Sequence, residues 1–153
     1  MATDQKQLVG LRVRWMIQRD IPEVLAIEAA SFEFPWLEDD FIQCLRQRNC
    51  MGAVAEHDDR NVGFMIYEFN KNNIRVLNFA VDPEMRRRGV GTQMIRKLKD
   101  KLSPQHRVKI IVEIRKEENP VVKPFFEKEL FVVVNEGPDL PEPPGYLMEY
   151  KIL

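Results

Sequence analysis

The 153-residue chain is poor in features that define several protein classes. Its two cysteines, Cys44 and Cys50, cannot build a disulfide framework, which favours a reducing, cytoplasmic setting. No run approaches the roughly 18 consecutive apolar residues of a membrane-spanning helix, and the first ten residues lack the apolar core of a signal peptide. The two histidines show no metal-ligand spacing. We expect a polar tail at 1–10, a single soluble domain at 11–153 and no metal or membrane partner.

The chain also has almost no net charge, at -1, but its charges are unevenly distributed. Residues 20–45 hold seven acidic side chains and no basic one, whereas 84–101 hold seven basic side chains and two acidic ones. These segments are either solvated helix faces or two binding surfaces, one for a cation and one for an anion. The near-neutral total argues against a dedicated nucleic-acid binder.

Hydrophobic periodicity predicts the order β α α β β β α β α β β, a mixed α/β (α+β) domain. Asp20 and Glu23 have the spacing of a capping box at the start of the first helix. The predicted helices are 20–30, 38–47, one that follows 86–91, and 120–128. The predicted strands are 11–17, 51–56, 62–69, 74–81, 108–114, 131–135 and 146–152.

The sharpest motif is Arg86-Arg87-Arg88-Gly89-Val90-Gly91-Thr92, between a buried strand and an amphipathic helix. Glycines let the backbone curl closely around a ligand, and the unpaired N–H groups of a helix N-terminus favour a phosphate or pyrophosphate. The motif lacks the Gly-Lys-Ser/Thr ending of a Walker A loop and the third glycine of a dinucleotide fingerprint. By itself it could also be a basic surface turn.

In its context this motif resembles the acetyl-CoA loop of the GNAT family of N-acetyltransferases, with Arg86, Gly89 and Gly91 in the motif positions. Residues 78–83, Asn-Phe-Ala-Val-Asp-Pro, are similar to the family's central strand. The chain is most similar to the bacterial ribosomal-protein-alanine N-acetyltransferases, on the strength of Phe34-Pro35-Trp36 and of Glu113-Ile114-Arg115 followed by Asn119. The resemblance covers residues 11–152.

The resemblance implies a mixed, mostly antiparallel sheet of about seven strands that splays between strands 4 and 5, with about four helices. The pantetheine arm of acetyl-CoA would pair with 79–81, and backbone N–H groups of 87–92 would hold the pyrophosphate. Asn119 would contact the cofactor, although it could equally be a helix N-cap beside Pro120. The implied cofactor-binding residues are Phe79, Ala80, Val81, Arg86, Arg87, Arg88, Gly89, Val90, Gly91, Thr92, Asn119 and Phe126.

The reaction implied is acetyl transfer from acetyl-CoA to a primary amine by direct attack on the thioester. A protein α-amine has a pKa of about 7.7–8.0, so part of it is already uncharged at pH 7 and a strong base is not needed to deprotonate it. Glu113 is the candidate base, directly or through water; it could instead be an exposed carboxylate paired with Arg115 or Lys116. The Val81 amide would stabilise the oxyanion. Glu28 is a weaker candidate base, better explained by a structural salt bridge.

One position departs from the group's pattern. A tyrosine that protonates the leaving thiolate is replaced by Phe126, and the usual Leu-Gly-Phe ending of that helix reads Glu129-Leu130-Phe131. The thiolate could leave unassisted, Tyr146 or Tyr67 could serve, or catalysis could be weak. We retain Tyr146 with Glu113 and Val81 as the catalytic candidates.

The acceptor is the least determined feature. The acidic segment would flank the substrate entrance and attract an amine or a basic peptide, and Phe34, Pro35 and Trp36 would form its wall, although Trp36 could be a core residue. The main expectation is acetylation of a protein N-terminal α-amine of the ribosomal-protein-alanine type. The alternatives are a small-amine acetyltransferase and a weakly catalytic acyl-CoA-binding module. The proline-rich segment 138–145 could mediate a homodimer of an otherwise monomeric chain.

Overall fold

A single seven-stranded sheet flanked by four helices forms the computed structural model, which describes residues 8–115, 122–137 and 145–152. The helices are α1 (Ile21–Ser31), α2 (Glu38–Leu45), α3 (Val90–Lys99) and α4 (Val122–Lys128). The strands are β1 (Arg12–Trp15), β2 (Cys50–His57), β3 (Arg60–Phe69), β4 (Asn73–Val81), β5 (Lys109–Arg115), β6 (Val132–Gly137) and β7 (Gly145–Lys151). This order confirms the predicted succession of elements.

The strands lie in the order β1-β2-β3-β4-β5-β7-β6. Their pairings are antiparallel except between β4 and β5, which run parallel. The parallel pair is the one joined by a helical crossover through α3, as parallel neighbours require. The sheet is therefore mixed and mostly antiparallel, as expected.

The central feature of the sheet is an opening between β4 and β5. Their pairing begins at Asn73 opposite Lys109 and ends at Val76 opposite Val112. Beyond that point β4 continues along β3 to Val81, and β5 continues along β7 to Arg115. The two strands separate toward their carboxyl ends, which confirms the predicted splay.

A β-bulge lies where this pairing stops. Ile66 of β3 faces Asn78, but the next residue, Tyr67, faces Val76, so Leu77 is the extra residue of β4. A bulge places two consecutive side chains on one face and bends its strand. Consistent with this, Ile74 and Val76 pack on the α3 side of the sheet, whereas Asn78 contacts α1.

Helices cover both faces of the sheet. One core includes Val24 and Ile27 of α1 and Phe41 of α2, packed on Phe64 and Ile66. The larger core joins α3 and α4 to the opposite face through Val90, Met94, Ile95, Leu98 and Phe126. Leu8, which the sequence analysis assigned to the polar tail, is buried in the second core.

The start of α1 differs from the prediction. The Asp20 carboxylate does not cap α1; its oxygens accept hydrogen bonds from the Arg14 guanidinium, at 2.9 Å each, and from Ile17 N and Asn61 Nδ2. The Glu23 carboxylate accepts from Asn61 N at 3.4 Å. The half-buried Arg14 guanidinium outcompetes the local capping geometry because a charge-assisted, two-pronged pair is stronger than a hydrogen bond from a neutral N–H donor. Among the described helices, none is long and apolar enough to cross a membrane.

Candidate functional site

A cavity of about 560 Å³ lies beside the opening in the sheet. One wall comes from the α1–α2 region and the other from the separating ends of β4 and β5, with α4 at its side. Beyond Val76 and Val112, β4 and β5 no longer pair with each other, and the cavity lies at the gap that this leaves in the described sheet. Its lining includes Phe32, Trp36, Asp40, Gln43, Cys44, Gln47, Leu77, Asn78, Phe79, Glu113 and Phe126.

The glycine-rich motif forms the turn into α3. Gly89 has a φ of 85° and is followed directly by Val90, the first residue of α3, so the helix begins within the motif, earlier than predicted. Gly89 has no side chain with which to cap the helix, so within the described part of the chain no capping side chain accepts from the first-turn N–H groups of 90–92. These donors, at the positive end of the helix dipole, are suited to an anion.

The three arginines of the motif lie in different environments. Arg86 donates from Nε to the Val81 carbonyl at 3.0 Å and from Nη2 to Ser31 Oγ at 3.1 Å, which ties the turn to β4 and α1. Arg87 is exposed and has a φ of 66°. Arg88 Nε is buried and lacks a hydrogen-bond partner among the described residues. Arg86 therefore positions the turn, while Arg88 has an unused donor.

The end of β4 presents backbone groups to the opening. Asp82 N donates to Val62 O on β3, and backbone groups alternate in direction along a strand. The amides of Phe79 and Val81 therefore point away from β3, toward the gap. The Phe79 amide donates to Asn78 Oδ1 at 2.9 Å, whereas the hydrogen bonds of Ala80 are directed to β3.

Glu28 is fully buried at the junction of the two walls. One of its carboxylate oxygens accepts from Trp36 N, and the other from Asn78 Nδ2, both at 2.8 Å. The carboxylate thus joins the α1–α2 connection to the bulged part of β4. The sequence analysis missed Asn78 as a site residue, although a polar side chain in an otherwise apolar strand is a recognisable signal.

Glu113 lies at the cavity wall, near the carboxyl end of β5. Its Oε1 accepts from Arg75 Nη2 at 3.0 Å, and both side chains are about one-third exposed. The predicted alternative partners, Arg115 and Lys116, have side chains outside the described residues. Arg75 was missed because it lies 38 positions away in sequence, and only the parallel pairing of β4 and β5 brings it close.

Phe126, at which the resemblance described above implies a tyrosine, is buried in a group of aromatic rings. Its centroid lies 5.6 Å from that of Phe79, 5.0 Å from Phe125 and 5.1 Å from Phe131. Phe125 also approaches Gly91, where an added Cβ would meet its ring at 3.1 Å. Phe79 and Phe126 line the cavity, so part of this aromatic group forms its wall on the α4 side.

The two tyrosines considered as proton donors differ in position. Tyr67 is buried in the core of β3, and burial raises its pKa to about 12. Tyr146 is half-buried on β7, opposite Ile114, and Lys123 Nζ lies 5.5 Å from the centre of its ring. Ile114 lines the cavity, so Tyr146 is one strand from its wall.

The Phe34-Pro35-Trp36 segment follows α1 and leads toward α2. Trp36 lines the cavity and also packs edge-on against Phe41, with ring centroids 5.1 Å apart, so it serves both the cavity wall and the core. Phe34 is 65% exposed, and Pro35 is half-buried. The segment thus combines one ring fixed by packing with one ring at the surface.

The acidic segment is only partly a surface. Asp20 and Glu28 are buried and occupied by structural hydrogen bonds, which reduces the charge available at the entrance. The exposed carboxylates between the end of α1 and the first turn of α2 are Glu33, Glu38, Asp39 and Asp40. Asp40 also lines the cavity.

Two predicted features, Asn119 and most of the 138–145 segment, lie outside the described residues.

Comparisons with known proteins agree with this architecture. A sequence profile described as the Acetyltransferase (GNAT) family matches residues 17–130. The chain is 31% identical over 96 residues to the [ribosomal protein bS18]-alanine N-acetyltransferase of Salmonella typhimurium, a match that covers 63% of the chain and 64% of that protein. It is 28% identical over 109 residues to a Bacillus subtilis protein described as a possible member of the same group, covering 71% and 72% of the two chains.

The crystal structure of the ribosomal-protein-S18-alanine N-acetyltransferase from Escherichia coli superposes with a TM-score of 0.79 at 20% identity. The superposition covers 93% of this chain and 94% of the other. At that identity the likeness concerns the fold. The family profile, however, spans most of the chain, including the turn into α3, the opened strands and the cavity wall. The chain therefore belongs to the GNAT family of acetyltransferases.

Proposed function

We propose that the chain is an acetyl-CoA-dependent N-acetyltransferase that acts on the N-terminal α-amine of a protein, of the ribosomal-protein-alanine type, in the cytoplasm. The observation that carries the proposal is the continuity of three features. The N-terminus of α3, which Gly89 leaves without a side-chain cap, follows the opened end of β4 in the chain, and β4 also lines the acid-bordered cavity. This order suits an anionic cofactor at one end and an amine at the other.

The described residues fit acetyl-CoA, which supplies the acetyl group as a thioester. The N–H groups at 90–92 would bind the pyrophosphate. Gly91 has no Cβ, which leaves room for the Phe125 ring to pack against the first turn of α3. Phe79, Ala80 and Val81 would hold the pantetheine arm, with Phe79 and Val81 offering backbone groups toward the gap. For its amide to take part, Phe79 must give up its hydrogen bond to Asn78.

The chemical step assigns separate roles to the two sides of the gap. The Val81 N–H would donate to the thioester oxygen as negative charge develops there. Glu113 would receive the amine proton, directly or through a water. Arg75 holds the Glu113 carboxylate at 3.0 Å and fixes its position at the wall. Arg75 is thus a positioning residue, since it acts through Glu113.

The leaving thiolate does not need a strong acid to protonate it. Free thiols ionise near pH 8.5, so the thiolate is a fair leaving group without a strong acid. Phe126 has no proton to give, and Tyr67 is buried in the core. We assign the donor role to Tyr146, beside the cavity wall on β7, and expect Tyr146→Phe to lower kcat while leaving KM for the acceptor unchanged.

The acceptor side favours a peptide over a small amine. The exposed carboxylates 33 and 38–40 border the entrance and attract a cationic N-terminus. Trp36 forms a fixed wall for a small first side chain, whereas the exposed ring of Phe34 offers contact area to residues that follow it. A polyamine would use the carboxylates but neither of these aromatic surfaces.

The experiment compares acceptors with purified protein and acetyl-CoA, measuring release of the CoA thiol. A peptide that begins with alanine should support turnover, and the same peptide with a blocked α-amine should not. Faster turnover of spermidine would contradict the peptide assignment, and no release with any amine would contradict the enzyme assignment.

A paired substitution tests the base. Glu113→Gln should lower kcat/KM by about 100-fold, a typical effect of losing a positioned base. The matched control is Glu149→Gln, because Glu149 lies on the neighbouring strand β7 and pairs with Lys109 at 3.6 Å. Equal effects of the two substitutions would contradict a catalytic role for Glu113.

A further inference from the structure

The chain's two cysteines lie in direct contact next to the cavity. Cys44 is near the end of α2, Cys50 is the first residue of β2, and their Sγ atoms are 2.9 Å apart. A tight connection holds them, in which Gln47 N donates to Cys44 O at 3.1 Å and Cys50 N donates to Gln47 O at 3.2 Å. Both thiols are free. The backbone hydrogen bonds of this connection therefore hold the two sulfur atoms close together.

The two thiols differ in access. Cys50 is 6% exposed and packs in the core beneath α1 and α2. Cys44 is half-buried and belongs to the cavity lining, so a small molecule that enters the cavity reaches its sulfur first.

They also differ in acidity. The hydrogen bond from the Cys50 thiol lowers the pKa of Cys44, and the same bond, with burial, raises the pKa of Cys50. Because the thiolate is the nucleophile in thiol–disulfide exchange, Cys44 is the attacking residue and Cys50 the resolving one.

We propose that Cys44 and Cys50 form a redox modification site, which a low-molecular-weight disulfide such as glutathione disulfide converts into an intramolecular disulfide. The Cys44 thiolate attacks one sulfur of the reagent, forming a mixed disulfide and releasing one thiolate. Cys50 loses its proton to water and attacks the Cys44 sulfur, which breaks the mixed disulfide and releases the second thiolate. Two protein thiols are oxidised, and the reagent is reduced to two thiols.

The position of the site links it to the cavity. Cys44 shares its wall of the cavity with Asp40 and Gln43 of α2 and with Gln47 of the connection to β2. The intramolecular bond fixes the end of α2 to β2, whereas a mixed disulfide on Cys44 places the reagent's group inside the cavity. The contact between the two thiols, their burial and the turn that holds them are independent of the proposed acceptor and of catalysis.

The test treats the folded protein with excess glutathione disulfide at pH 8 and follows thiol content and intact mass. The wild type should lose both titratable thiols, with a monomer mass lower by about 2 Da for two hydrogens, and dithiothreitol should restore both. Cys50→Ser should instead retain one bound glutathione on Cys44, because the resolving thiol is gone. Cys44→Ser should stay largely unmodified, because its remaining thiol is buried.

Two results would overturn the proposal. One is a wild type that keeps both thiols under conditions in which Cys50→Ser takes up glutathione. The other is a wild type that accumulates a stable mixed disulfide, which would mean that Cys50 does not resolve it. Because the readouts are thiol content and mass, loss of acetyl transfer in a separate assay would leave either result unchanged.

Discussion

The buried ion pair at the start of α1 predicts a defined loss of stability in acid. Asp20 is 3% exposed. Burial by itself would raise the pKa of its carboxyl, but hydrogen bonds from Arg14, Ile17 N and Asn61 outweigh it and hold the pKa at about 2, below the ordinary 3.8. A carboxyl whose pKa is lowered by folding stabilises the folded state above its unfolded pKa. That contribution is lost as the pH falls through 3.8 toward 2.

The size of the effect follows from the pKa difference. A difference of roughly 1.8 pKa units corresponds to about 2 kcal/mol when the carboxyl is fully ionised. At pH 3, partial protonation of the unfolded chain already removes about 1 kcal/mol of this, and at pH 2 nearly all of it is lost. Asp20→Asn should cost about 3 kcal/mol near pH 6, because it leaves the half-buried Arg14 without its main partner.

The assay is urea-induced unfolding of the wild type and of Asp20→Asn at pH 6 and pH 3. The stability difference between the two proteins should be smaller at pH 3 by about 1 kcal/mol. Asp59→Asn is the matched control, since it removes a carboxylate from an exposed turn at a φ of 62° that asparagine tolerates. A difference between wild type and Asp20→Asn that stays constant or grows toward pH 3 would refute the reasoning.

Three further substitutions test the elements that frame the site, each by thermal or urea unfolding. Glu28→Ala should cost about 2–5 kcal/mol, since it removes the acceptor of the Trp36 N–H and of the buried Asn78 amide. Glu33→Ala, at an exposed position just after α1, should cost under about 0.5 kcal/mol, and similar costs for both would contradict the buried network. Gly89→Ala should cost about 1 kcal/mol because its φ of 85° strains a residue with a Cβ, and a neutral result would mean that the turn relaxes. Leu130→Gly should instead stabilise the chain by about 1 kcal/mol, because Leu130 is 70% exposed at a φ of 72°, and destabilisation would show that its side chain packs in solution.

The left-handed conformation of Leu130 coincides with a departure from the pattern that the sequence resembles. Leu130 N donates to Glu127 O and Phe131 N to Phe126 O, the pair of bonds that ends a helix with a left-handed residue. The pattern that the sequence resembles has glycine at this position, where the left-handed conformation is free of strain. Leucine keeps the helix end at a cost in strain, and the adjoining Phe131 is buried against Phe126.

Local signals in the sequence were enough for the elements and for the turn into α3. The alternation of apolar and basic residues at 11–17 and the helical spacing of Met94, Ile95 and Leu98 predicted β1 and α3 to within a few residues. Such patterns succeed because one face of each element must be buried. Gly89 indicated the turn into α3, because its φ of 85° is a conformation that glycine adopts without strain.

Contacts distant in sequence were decided by the tertiary structure. The motif that suggested a cap at Asp20 was overridden by Arg14 and Asn61, which the sheet brings to the same carboxylate. The pairing of Glu113 with Arg75 depends on strand register, which no local pattern specifies.

By itself, the sequence determined the order of elements, the helix N-terminus that can receive an anion and the resemblance that led to the family. The tertiary structure decided which acidic residues are buried, where β4 bulges and leaves β5, and that Cys44 and Cys50 touch beside a cavity. The physical reason is range: periodicity and turn chemistry act over a few residues. Burial, ion pairing and cavity shape depend on which distant segments the sheet brings together.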